Sequence, residues 1–94
     1  MRRNKVQKNT EYNKQYQEAV SQTRQALQET LETDFLEPYK KPSPLSLSML
    51  KNIVKQLEQI LLLTEIYPEV EKERQQLRKK LNKIESFIKE KEAN

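Results

Sequence analysis

Three glutamates at alternate positions, Glu69, Glu71 and Glu73, are the densest group of candidate ligands or acids in this sequence. Carboxylates bind a metal or move a proton when they converge on one point. On a helix, residues two apart point to different sides, so these three do not converge. Just after Pro68 they serve better as charges matched to the positive end of a helix dipole. The chain contains no Cys, His, Gly or Trp. That excludes a disulfide framework, a thiol nucleophile, a histidine base and a Cys/His zinc site. It also excludes a glycine-rich phosphate loop and a dinucleotide fingerprint. The expectation is a non-enzyme with no catalytic residue, no metal, no cofactor and no small-molecule substrate.

The second group with binding chemistry is basic. Arg2, Arg3, Lys5 and Lys8 stand close together at the start, in a chain of net charge +4 and pI about 9.3. Residues 1–8 read as a basic flexible arm, either a phosphate-contacting segment or a solvated tail. Arg78, Lys79, Lys80, Lys83 and Lys89 would spread over the whole non-core arc of a helix, interrupted by Glu85 and Glu90. They form no dedicated phosphate stripe. A glycine-containing helix-turn-helix corner and an RNP-like aromatic run are both missing.

The elements that must carry these groups are helices. Ninety-four residues make one domain, and hydrophobic and charged residues each account for 34%, with mean hydropathy -1.04. That is close to the polarity at which a chain fails to offset its ordering entropy. Prolines at 38, 42, 44 and 68 are the only strong helix breakers. They divide a single helical domain, 9–94, into helix 1 (about 9–33), a linker (34–43), helix 2 (about 44–66) and helix 3 (about 68–91). In helix 3, Val70, Arg74, Leu77, Leu81, Ile84 and Ile88 alternate spacings of four and three, a heptad seam with one polar member. In helix 2, Ser43 is the expected N-cap with Pro44 at the first helical position, and Ser46 is the rival cap. Leu47, Leu50, Ile53, Val54, Leu57, Ile60 and Leu61 share one face. Leu62, Leu63 and Ile66 then widen it, so helix 2 is expected to be the most buried, and deepest at its C-terminal half. Helix 1 has the weakest stripe, through Tyr12, Tyr16, Ala19, Val20, Ala26, Leu27 and Leu31. Its charges oppose its dipole, so it needs a supporting surface.

Charge alternates in blocks: +4 over 1–24, -4 over 25–39, +4 over 40–55, -4 over 56–73 and +4 over 74–94. An up-down-up arrangement sets helix 1 against opposite charge at both ends of the helix 2–helix 3 hairpin. Exposed pairs contribute only about 0–1 kcal/mol each, enough to select orientation. The expected fold is therefore all-α: an antiparallel helical hairpin with a long N-terminal helix, as a three-helix up-down-up bundle or coiled-coil-like assembly. A turn near 67 would set Leu57 opposite Leu77, Ile53 opposite Leu81 and Leu61 near Arg74. The Arg74 head would then reach Glu58, Glu71 or a partner. The linker aromatics Phe35 and Tyr39, with Leu36, read as a lid over the end of the bundle or as a docking motif.

Leu62, Leu63, Ile66 and Phe87 fall off the main seams, and with Arg74 they form the candidate partner or oligomer surface. The functional expectation is helix–helix association with a second copy, most simply a dimer, or with a protein partner. The alternative is a nucleic-acid-associated accessory protein acting through Arg2, Arg3, Lys5 and Lys8. The longest apolar run, Ile60 to Leu63, is too short to cross a bilayer, so no membrane role is expected. The absence of cysteine and of an export signal points to the cytoplasm. The stretch from Pro44-Leu45-Ser46 through Ile53-Val54-Lys55-Gln56-Leu57-Glu58 to Leu63-Thr64-Glu65-Ile66 resembles the helical hairpin of some phage small-terminase, DNA-packaging proteins. The likeness covers about a quarter of the chain and departs where glycine would precede Leu-Thr-Glu. It implies DNA association, which adds to the nucleic-acid alternative, and it assigns no family.

Overall fold

The fold comes from a computed structural model that describes the backbone of residues 2–41 and 43–93, with side chains from residue 12 onward. Among the described residues every regular element is helical: α1 (Arg2–Glu32), α2 (Pro44–Leu63) and α3 (Glu71–Ala93), with single 3₁₀ turns at Glu37–Tyr39 and Pro68–Val70. No described helix is long and apolar enough to cross a membrane.

Local chemistry sets the boundaries. Ser43 is extended, and its Oγ accepts from the Ser46 backbone N–H at 3.2 Å, with Pro44 as the first helical residue. This is the side-chain cap expected of serine at a helix start. The other end of α2 comes three residues before the expected 66. Thr64 is the C-cap, and its hydroxyl donates to the Ile60 carbonyl at 2.8 Å. Pro68 then holds Tyr67 extended (φ -110, ψ 92), because its ring excludes the helical conformation one residue earlier. The third helix accordingly begins with the 3₁₀ turn before α3 proper.

The helix directions follow from long-range contacts. Tyr16 meets Glu69, Arg24 meets Glu69 and Glu73, and the Leu31 carbonyl meets Lys80. Numbers rise together, so α1 runs along α3 in the same sense. Lys51 pairs with Glu92 at 2.6 Å while Arg74 reaches back to Leu61, so α2 and α3 are antiparallel and packed together. Leu61 lies by Arg74 as expected. At the open end Val54, Glu58, Glu85 and Ile88 line one groove, which shifts the pairing outward from that of a sharp corner at 67. Residues 64–70 are used by the connection.

One hydrophobic core joins Val20 and Leu27 of α1, Leu50, Val54, Leu57 and Leu61 of α2, Val70, and Leu77, Leu81, Ile84 and Ile88 of α3. The expectation that helix 2 is the most buried fails. α3 is the central helix, since α1 packs along α3 and the 3₁₀ turn before it, leaving the far side of α2 open. Leu62, Leu63 and Ile66 are exposed in consequence. The linker is the lid: Phe35, Leu36 and Tyr39 are partly buried against the core. Asp34 Oδ1 shapes it by accepting from the N–H groups of Leu36 (3.1 Å) and Glu37 (3.2 Å).

Candidate interaction surface

Three of the five residues proposed as a partner surface come together. Leu62, Leu63 and Ile66 sit at the end of α2 with 61%, 64% and 70% of their surface open to solvent. Isolated exposed leucines are ordinary, but grouped large apolar side chains mark contact surfaces. Beside them runs a cleft between α2 and α3 lined by Glu58, Leu62, Glu65, Arg74, Arg78 and Glu85.

Arg74 does not join that surface. Its Nε donates to Thr64 Oγ1 at 3.2 Å, its Nη2 to the Leu61 carbonyl at 2.9 Å and its Nη1 to Glu71 Oε2 at 2.6 Å. The head is committed within the chain, closing the C-terminus of α2. Phe87 does not join it either. It is half-buried against the core, with the Lys91 ammonium 5.6 Å from its ring centroid. The side chains of Arg2, Arg3, Lys5 and Lys8 lie outside the described residues.

The three glutamates go three ways. Glu69 Oε1 accepts from the Tyr16 hydroxyl at 2.8 Å, Glu71 holds Arg74, and Glu73 faces Arg24 with Oε2 3.7 Å from its Nε. Among the described residues no set of three or more carboxylate, histidine or cysteine groups could hold a metal ion. The Tyr16 ring also packs on Tyr67, centroids 5.8 Å apart. Its hydroxyl is held above its ordinary pKa, first by the hydrogen bond to Glu69, then by desolvation and the Glu69 charge. This network docks the middle of α1 on the turn before α3.

Sequence reasoning missed Leu45 and Met49, which are 72% and 51% exposed on α2. Neither belongs to the apolar face that runs from Leu47 to Leu61. The signal was their spacing of four, which continues along the helix. No family model matches this chain, and neither the curated proteins nor the solved structures contain a match.

Proposed function

We propose that this chain is a non-enzymatic interaction protein, a three-helix up-down-up bundle that acts in the cytoplasm by helix–helix association with a second copy or a protein partner. The observation that supports this reading is the exposed group Leu62, Leu63 and Ile66 at the end of a helix whose other face is core. The molecule is a rod of 68 × 20 × 18 Å. Its surface is 7576 Å², against roughly 5,700 Å² for a compact monomer of its mass. The excess follows from the elongated shape and is more than the roughly 800 Å² that one partner buries in a standard interface.

The test joins sedimentation equilibrium of the intact chain at micromolar concentration with affinity capture from the native host, with and without nuclease. The reading requires a complex that survives nuclease and is lost in Leu63→Glu and Ile66→Glu variants that remain helical. A complex released by nuclease, and lost when Arg2, Arg3, Lys5 and Lys8 are replaced, would instead establish the nucleic-acid alternative. That alternative has the net charge of +4 in its favour, but Arg24, Arg74 and Lys80 are already engaged within the chain.

A further inference from the structure

The face of α2 turned away from α3 carries a second seam. Leu45, Met49, Asn52, Gln56, Gln59 and Leu63 are all exposed and follow spacings of four, three, four, three and four. Ile66 continues the series three residues on, just past the helix end. At about 100° per residue the six helical members fall within a narrow arc. The core residues Leu50, Val54, Leu57 and Leu61 lie on the opposite side. No member is charged, in a chain that is 34% charged.

The order along this seam is apolar, amide, apolar. Leu45 and Met49 begin it, Asn52, Gln56 and Gln59 fill the middle, and Leu63 and Ile66 end it. Such an order reads alike in both directions. An antiparallel second copy would lay Leu45 and Met49 against Leu63 and Ile66 at both ends, with the amides meeting near the two-fold axis. An isologous interface needs this self-complementarity. Buried amides at seam positions fix register and partner number in helical pairs. Lys51 and Glu58 turn toward α3, where both line the groove between the two helices and Lys51 pairs with Glu92, so the outer seam is left without them.

We infer that the outer face of α2 is the docking surface for a second copy of this chain, antiparallel, with Gln56 close to the dimer axis. This rests on the proposal that the protein works by helix–helix association, and it names the partner. The side chains involved are exposed, so substitutions there leave the core of the single chain intact.

The experiment is sedimentation equilibrium on the full chain with Leu45→Glu, Leu63→Lys and an equimolar mixture of the two. The wild type is expected to dimerise in the micromolar range, and each variant to weaken the dimer at least tenfold with unchanged helicity. The mixture should recover most of the affinity, because antiparallel pairing brings the introduced glutamate of one copy to the introduced lysine of the other. Parallel pairing gives no recovery. A nitroxide on Ser48→Cys adds a geometric reading, since the chain has no native cysteine. Antiparallel copies hold the two labels roughly 25 Å or more apart, at about 1.5 Å of rise per residue. A wild type monomeric at about 100 µM overturns the second copy as partner, while a nuclease-resistant protein complex would leave the association reading standing. A dimer untouched by both substitutions overturns this face and keeps self-association. Loss of the dimer in each variant without rescue in the mixture overturns the antiparallel register.

Discussion

The guanidinium of Arg74 donates to the carbonyl of Leu61 at 2.9 Å, and so closes α2 from the neighbouring helix. Helices commonly end on a glycine in the left-handed conformation, which satisfies the last carbonyls. This chain has no glycine, and none of its described residues has a positive φ. Cations on α3 take over that role at two helix ends. Arg74 serves α2, and Lys80 Nζ donates to the Leu31 carbonyl of α1 at 2.6 Å. Positive charge at a helix C-terminus is also favoured by the dipole.

Replacing Arg74 with leucine therefore lowers stability, although a leucine would complete the heptad seam. The Leu61 carbonyl loses a charged donor and Glu71 its partner. The expected cost is about 1–3 kcal/mol, toward the lower end because the single Thr64 hydroxyl proton, now on the Ile60 carbonyl at 2.8 Å, can turn to the Leu61 carbonyl 3.3 Å away. Urea unfolding of the two proteins measures it. A leucine variant as stable as the parent would mean that the cap contributes nothing.

Lys80→Met keeps the aliphatic stem and removes the ammonium. Two contacts are lost, the one to Leu31 and the one over the Phe35 ring, 5.5 Å from its centroid. Both hold the lid at the end of α1. Hydrogen exchange should quicken at the Tyr39 amide, which is bonded to the Leu36 carbonyl at 2.9 Å, and stay unchanged in the α2–α3 groove. Uniform acceleration across the chain would mean that Lys80 supports the whole fold instead of the lid.

The sequence revealed elements by period and hid what depends on neighbours. The seam through Leu77, Leu81, Ile84 and Ile88, the Ser43 cap and the lid residues Phe35, Leu36 and Tyr39 are all found in place. Spacing and capping are local, so one segment suffices to read them. The nearness of Arg74 to Leu61 and its reach to Glu71 were legible from the hairpin and the spacing of three, but its donation to the Leu61 carbonyl was not, because a backbone acceptor on another helix leaves no mark in side-chain pattern. The burial of α2 was misread for a similar reason. A helix apolar on several sides says that something should cover it, and only the packing shows that α1 takes α3 instead. The outer seam was legible in principle, since its spacing is as regular as that of the core. Its central amides concealed it from a search for apolar stripes.

The Tyr16–Glu69 hydrogen bond gives the docking of α1 a pH dependence. The folded-state pKa of Tyr16 is raised, so the fold binds the phenolic proton more tightly than the unfolded chain does. The stabilisation is fully present below the ordinary tyrosine value of about 10 and is lost as pH rises through the folded value. Tyr16→Phe should be less stable than the parent at neutral pH, with the difference shrinking above pH ~10. Lysines titrate in the same range, and comparison with the phenylalanine variant cancels their effect. Equal stability of the two proteins at neutral pH would place the contribution of Tyr16 in its ring packing on Tyr67, which phenylalanine keeps, and not in the hydroxyl.

Leu77 and Leu63 make the sharpest contrast on one hairpin. Leu77 is fully buried in the first third of α3, and Leu63 is largely exposed at the end of α2. Truncating Leu77 to alanine removes core contacts and leaves a cavity, at a cost of about 2–5 kcal/mol. That is enough to unfold much of a domain whose total stability is of order 5 kcal/mol. Truncating Leu63 leaves the single chain within about 0.5 kcal/mol of the parent. Concentration separates the two further. Association with a second copy stabilises by mass action, so the midpoint of the parent should rise with protein concentration. Leu77→Ala should keep that slope from a lower starting point, provided it is measured where the variant is folded. Leu63→Ala should flatten the slope and converge with the parent on dilution. Thermal melts at about 1 and 100 µM give both readings, and equal slopes in the parent and Leu63→Ala would remove Leu63 from any self-association surface.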